Sequence, residues 1–393
     1  MKSVLARVPV FRLGRALGRP LVLPAAVTVN VLYACNSRCK TCNIWEHQAE
    51  VLTVAEYERI FRSLGRAPRW VTVTGGEPFL RGDLGDILLA LDRHCRPAVI
   101  NVPTNGTFPR RVEAVVDRVA AAISPRSLII NLSIDEVERE HDRLRGFQGN
   151  WELAMTTADV LKGLKRRHDN LVFGVNTVIS RFNEERIVEI AERVDALEPD
   201  SYVAEVAGRR IELSTARADI LPSRDGLLRA LGFLRGRSRR TLRLIDALVA
   251  SLRAEYYGLL ERHTREGREV LPCYAGITSA HIMPEGKVWA CCVLGEEFGD
   301  LREADYDFRA LWYGAAAQAI RRRIKQERCN CTLANQGYMN LLVDPRSLVR
   351  SGARAAALLA HSHSISTASR PTVDDAPAAV PIEPATQVGR AAE

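Results

Sequence analysis

Between residues 27 and 206 the chain alternates short apolar runs with stretches whose apolar positions recur every three or four residues. The runs are VTVNVLY (27–33), WVTVT (70–74), AVINVP (98–103), SLIINLSI (127–134), LVFGVNTVI (171–179) and SYVAEV (201–206). Rich in Val and Ile and nearly continuous, they read as parallel strands covered on both faces. Helical patterns lie between them. One starts at Thr53, with Glu56 three residues on as a capping box, and others start near Asp83, Pro109, Asn150 and Asn183. Six strand–helix units over residues 25–208 predict an α/β fold, a partial (β/α)6 TIM-like barrel. In that architecture reactive groups sit on the loops that follow the strands.

The alternation stops at residue 209. Residues 209–270 read as a helical connector of two basic amphipathic helices, and 271–340 as a small cysteine-rich segment. Residues 341–360 hold one more basic amphipathic helix. From 361 to 393 Ala, Pro, Ser and Thr dominate, a composition that buries no core and reads as a disordered tail.

Charge adds one feature. The net charge is +8, and the first 24 residues carry five basic and no acidic side chains. That segment reads as a basic amphipathic helix, either solvated or lying on an anionic membrane surface. No run of apolar residues is long enough to span a bilayer. Nucleic acid is not expected as a partner, because the arginines are not interleaved with aromatics. Nine clustered cysteines point to metal ligation in a reducing compartment, hence the cytoplasm or the periphery of its membrane.

The chemistry concentrates after the first strand. In YACNSRCKTCNIW, Cys35, Cys39 and Cys42 follow the spacing Cys-x3-Cys-x2-Cys. Thiolates are soft ligands that select zinc, copper(I) or iron–sulfur clusters. Three of them around a [4Fe–4S] cluster leave one iron without a protein ligand. A zinc site completed by His47 is the alternative. The second strand ends in Gly75, Gly76, Glu77 and Pro78, a turn whose glycines permit close backbone approach.

The cysteine spacing, the Gly-Gly-Glu-Pro turn and the six strand–helix units, in this order, resemble the radical S-adenosylmethionine (radical SAM) superfamily. The resemblance covers about residues 25–210. It implies that the cluster on Cys35, Cys39 and Cys42 chelates S-adenosylmethionine, whose reductive cleavage yields a 5′-deoxyadenosyl radical that abstracts a hydrogen atom from a substrate. It implies that the Gly75–Pro78 turn meets the methionine amino group, Ser133 the ribose and Arg145 the methionine carboxylate. Asn105 and Asn176, at the third and fifth strand ends, face the same mouth. A one-electron donor such as ferredoxin or flavodoxin is implied as partner. The family's aromatic residue before the third cysteine is Thr41 here, and Trp45, three residues beyond Cys42, reads either as its substitute or as a core residue.

The downstream cysteines are similar to the auxiliary-cluster extension of that superfamily, SPASM in full form and twitch when shortened. The resemblance implies a second [4Fe–4S] cluster on Cys273, Cys291, Cys329 and Cys331. It leaves Cys292 as a core thiol, an alternative ligand or a hydrogen-atom donor, and Cys95 as structural. A structural zinc site is the alternative for this group as well. The substrate stays open: a small molecule, sugar or lipid-linked compound is favoured over a peptide or protein presented by a separate partner. Two non-catalytic readings stand beside these, a zinc scaffold and a peripheral membrane binder.

Overall fold

The alternation of side chains along each strand decides what its two faces touch. The computed structural model describes residues 2–123, 126–237, 244–326 and 331–368. Helices α1 (Lys2–Leu5) and α2 (Val8–Leu17) precede β1 (Ala26–Asn30), α3 (Val54–Leu64), β2 (Trp70–Thr74), α4 (Leu84–Cys95) and β3 (Val99–Thr104). Then come α5 (Pro109–Ile123), β4 (Ser127–Ser133), α6 (Glu138–Arg145), α7 (Asn150–Lys165), β5 (Leu171–Ile179), α8 (Ile187–Asp195) and β6 (Ser201–Val206). The connector holds α9 (Arg224–Gly236) and α10 (Leu244–Glu266). The C-terminal part has β7 (Ser279–Ile282), β8 (Lys287–Trp289), β9 (Glu297–Asp300), α11 (Phe308–Tyr313), α12 (Ala315–Gln326), α13 (Ala334–Val343) and α14 (Pro345–Ala368).

Strands β1 to β6 pair in chain order and all in parallel, as the six strand–helix units require. On β4, Leu128, Ile130 and Leu132 are buried in one core with Val116 of α5 and Ala158 and Leu161 of α7. The alternate residues Ser127, Ile129, Asn131 and Ser133 are only half-buried. The sheet is therefore apolar towards its helices, while its inner face is not uniformly apolar. There Trp70 Nε1 donates to Thr72 Oγ1 (3.1 Å), Asn101 Nδ2 to the same oxygen (3.4 Å) and Asn131 Nδ2 to Asn101 Oδ1 (2.6 Å). The capping box forms as read: Glu56 Oε2 accepts from Thr53 N at 2.7 Å and Thr53 Oγ1 from Glu56 N at 3.3 Å.

The cysteine-rich part is not a separate sheet. β7 pairs in parallel with β1, Ala26 opposite Ser279 and Thr28 opposite His281, and β8 and β9 extend the same sheet antiparallel to nine strands. The N-terminal segment packs here too. Val8 and Phe11 of α2 are buried with Tyr274, Ile277, Met339 and Val343, and Arg15 Nε donates to the Cys273 carbonyl at 2.8 Å. Leu13 and Leu17 stay half exposed on the other side of α2. α14 runs to Ala368, past the point at 360 where the composition turns, and residues 369–393 of the expected tail lie outside the described residues. Among the described residues no helix is long and apolar enough to cross a membrane.

Candidate active site

The strand expected over 27–33 ends at Asn30, because the chain turns there to meet the glycine turn after β2. Gly76 N donates to Leu32 O (2.8 Å) and Glu77 N to Ala34 O (3.0 Å). The approach is close enough to demand glycine. A Cβ on Gly76 would stand 2.0 Å from Ala34 O, and one on Gly75, whose φ is +143°, 2.2 Å from Leu32 O. Two backbone segments are thus pressed together directly before Cys35.

A second brace comes from β3. Asn105 Nδ2 donates to Asn36 Oδ1 (2.9 Å) and Ser37 Oγ (3.0 Å), while its Oδ1 accepts from Thr107. Asn105 is held in turn by Glu77, whose buried carboxylate accepts from Asn105 N (2.7 Å), Thr104 Oγ1 (2.8 Å) and Phe79 N (3.1 Å). Burial raises the Glu77 pKa, and these donors oppose the rise.

The third brace is the end of α6. Arg38 N and Lys40 N donate to Arg145 O and Leu144 O, both at 2.9 Å. Gly146, at φ +60°, lets the chain pass where a Cβ would meet Arg38 O at 2.2 Å. Arg145 is buried, with Nη1 3.1 Å from Asp135 Oδ2 and 3.6 Å from Cys39 Sγ. Burial works against its charge, but Cys39 and Asp135 outweigh it and raise its pKa. Its Nε is buried with no hydrogen-bond partner.

Ser133, the last residue of β4, and Asn176 are register partners and both half-buried, but β5 continues past Asn176 to Ile179, so Asn176 lies within its strand and not at the end expected from the sequence. Trp45 lies under the Arg38 guanidinium, 4.2 Å from its ring centre, and Arg38 Nη1 donates to Cys35 O at 2.7 Å, so the ring props the cysteine loop. His47, the residue that would complete a zinc site, instead pairs its Nε2 with Ser214 Oγ at 2.9 Å.

In the C-terminal part Cys273, Cys291 and Cys331 line one cavity whose other walls include Ala275, Ala290 and Leu294. Cys273 Sγ accepts from Ala275 N (3.4 Å) and Cys331 Sγ from Leu333 N (3.3 Å). Cys329 lies outside the described residues. Cys292 is buried; burial first and Glu212 second push its thiol well above the usual range. Cys95 donates to Phe61 O within the core, as a structural thiol does.

Residues 29–194 match the model of the radical SAM superfamily, and residues 273–332 match that of the SPASM iron–sulfur cluster-binding domain. The chain carries a radical SAM domain followed by a SPASM domain. GTP 3′,8-cyclase of Stenotrophomonas maltophilia strain K279a is 32% identical over 136 residues, 31% of this chain and 39% of the cyclase. The same enzyme of strain R551-3 is 31% identical over 136 residues. The chain thus spans about two-fifths of the length of these curated relatives. SuiB of Streptococcus suis bound to S-adenosylmethionine is similar in fold, with a TM-score of 0.56 at 15% identity over 77% of this chain and 68% of SuiB. So is anSMEcpe with bound AdoMet and the Cp18Cys peptide, with a TM-score of 0.55 at 15% identity over 87% of this chain and 99% of that one.

A radical SAM domain uses a [4Fe–4S] cluster and S-adenosylmethionine, and a SPASM domain binds auxiliary iron–sulfur clusters. The residues present fit both groups. The loop after β1 offers thiols alone as soft donors, and burial pushes Cys35 up to about 11 and Cys42 up to about 12. The orphaned Arg145 Nε is a donor suited to a carboxylate. The second cavity joins three thiols to walls that are apolar apart from His281 and Gln336, and amides already donate to two of the thiols.

Sequence reasoning missed the segment that joins the two parts of this radical SAM chain. After β6, Asn43 N of the cysteine loop donates to Leu213 O (2.9 Å), and Glu212 N donates to Cys292 O (3.3 Å). Arg210, raised in pKa despite its burial by Cys292, Glu205 and Glu212, lies in the same segment. Two charged residues inside a segment read only as a connector were the available signal. Asp135 and His141, beside Arg145, were missed as well; burial lowers His141 to about 3 and keeps it neutral.

Proposed function

We propose that the chain reductively cleaves S-adenosylmethionine and uses the product to remove a hydrogen atom from a small polar substrate, a sugar or a lipid-linked compound. Cys35, Cys39 and Cys42 would hold the catalytic cluster, and Cys273, Cys291 and Cys331, with Cys329, the auxiliary one. Held there, that cluster would supply the one-electron reduction that cleaves S-adenosylmethionine, the source of the hydrogen-abstracting 5′-deoxyadenosyl group. The observation that carries the reading is the cysteine loop itself, held at three points by the glycine turn, Asn105 and the end of α6. A loop fixed in this way keeps its three thiols in one arrangement before any metal arrives.

Each remaining residue takes a role that its position allows. The Gly75–Pro78 turn offers backbone acceptors to the amino group of the methionine moiety, and Arg145 offers its unpartnered Nε to the carboxylate. Ser133 and Asn176, side by side, offer hydrogen bonds to the ribose and to the substrate beyond it. Glu77 and Asn105 position the loop. Uncharged groups such as Asn131 on the inner strand face suit a hydroxyl-bearing molecule. The electron comes from a separate donor, ferredoxin or flavodoxin.

The test is anaerobic. Reconstituted protein with a chemical reductant is expected to release 5′-deoxyadenosine, and C35A/C39A/C42A is expected to release none. Release by that variant overturns the reading. Deuterium transferred into 5′-deoxyadenosine from a labelled sugar or lipid-linked candidate identifies the substrate class, and transfer only from a labelled peptide replaces it with a peptide. Sedimentation with anionic liposomes, unaffected by the cysteine substitutions, checks the membrane-surface role of the basic helices.

A further inference from the structure

The cavity lined by Cys273, Cys291 and Cys331 has one polar wall residue with an unmet need. His281 stands in β7, where its backbone is paired with Thr28 of β1, and is one of the residues that line the cavity. It is 5% exposed, and its Nδ1 is buried with no hydrogen-bond partner. A buried imidazole nitrogen without a partner is costly. On the cavity wall Ala275, Ala290 and Leu294 bring no side-chain acceptor, and Gln336 has its Oε1 engaged by the Ser279 hydroxyl at 2.6 Å. The acceptors missing from this cavity are those that an iron–sulfur cluster brings, its sulfides and the cysteine sulfurs.

We propose that His281 is a positioning residue of the auxiliary cluster, donating its imidazole N–H to a cluster or cysteine sulfur and so raising the reduction potential of that cluster. The inference rests on the reading that Cys273, Cys291 and Cys331 hold the auxiliary cluster. A hydrogen bond to sulfur draws off negative charge and favours the reduced state, so its loss makes the cluster harder to reduce. His281 belongs to the strand that joins the cysteine-rich part to β1, and Glu212 and Arg210 of the joining segment act on it electrostatically. The donor is therefore anchored to the barrel and not to the cysteine-bearing loops.

The experiment uses the full chain in a C35A/C39A/C42A background, which leaves the auxiliary cluster as the sole source of signal. Iron content and the midpoint potential by electron paramagnetic resonance are compared for His281, H281Q and H281F. The expected result is unchanged iron in all three, a more negative potential in H281F, and an intermediate one in H281Q, whose amide still donates. An unchanged potential in H281F overturns the proposal. Loss of iron in both variants also overturns it, because His281 would then be a ligand or a fold requirement. Addition of C273A/C291A separates the two claims: if iron persists there, the cysteine assignment itself has failed, whatever the His281 variants do.

Discussion

Arg145 Nη1 lies 3.1 Å from Asp135 Oδ2 and 3.6 Å from Cys39 Sγ, so one buried guanidinium joins the loop after β4 to the middle thiol of the cysteine loop. Removing the cation strands a carboxylate that is fully buried. R145M is therefore expected to destabilise the fold by about 3 kcal/mol, the range for breaking a buried pair from one side. R145M/D135N removes both charges and is expected to recover more than half of that loss. Urea unfolding of the four members of the cycle measures it, and additive losses would show that the pair is not coupled.

The contact between Gly76 and Ala34 leaves no room for a methyl group. G76A is expected to lose catalytic-site iron and to lower 5′-deoxyadenosine release by about 100-fold or more, because the displaced backbone carries Cys35. G82A serves as control, since nothing lies within 4 Å of the added Cβ. Iron analysis and a single-turnover assay on both variants are sufficient.

Glu56 links the barrel to the C-terminal part, accepting from Thr53 N, from Arg302 Nε at 2.9 Å and from the Tyr306 hydroxyl at 2.8 Å. Burial works to raise its pKa, but these donors outweigh it and hold the carboxyl at about 2, against an ordinary 4.5. The folded value is the lower one. The stabilisation is therefore complete above pH 4.5 and is lost as the pH falls towards 2. E56Q is expected to cost about 2 kcal/mol at neutral pH and to flatten this limb of the acid-unfolding curve.

Arg321 of α12 is buried between the rings of Phe298 and Trp312, 4.7 and 4.4 Å from their centres, and donates Nε to Gly276 O. Both its Nη atoms lack partners, and burial lowers its pKa to about 9. Packing more than charge is what the site uses. R321A is expected to cost about 2–4 kcal/mol, and R321M, which keeps the volume, to stay within about 1 kcal/mol of the parent. Thermal unfolding at neutral pH distinguishes them; equal losses would mean that the charge itself is required.

The parts legible in the sequence are those that depend on neighbours along the chain. WVTVT, LVFGVNTVI and SYVAEV were strands as read, and the Thr53–Glu56 box formed. The cysteine spacing and the glycine turn were legible because the geometry they serve is local. What was not legible depends on partners far away in sequence. α6 reads EREHDRLR, with Leu144 its sole aliphatic residue, so no apolar stripe announces the helix that braces Arg38 and Lys40. The polar inner face of the sheet is visible only once Thr72, Asn101 and Asn131 are in register across three strands. The same holds for His281, an ordinary strand residue until β7 is placed beside β1.

That last pairing has a consequence for how such a protein can be dismantled. Cutting the chain before Ser279 would not release a self-sufficient catalytic half. It would strip β1 of a neighbour along four consecutive residues, Ala26 to Val29, and leave a raw parallel edge directly upstream of the loop that carries Cys35, Cys39 and Cys42. The two halves therefore stand or fall together, and the separation between their two cysteine groups is set by a shared ladder of backbone bonds, not by a hinge.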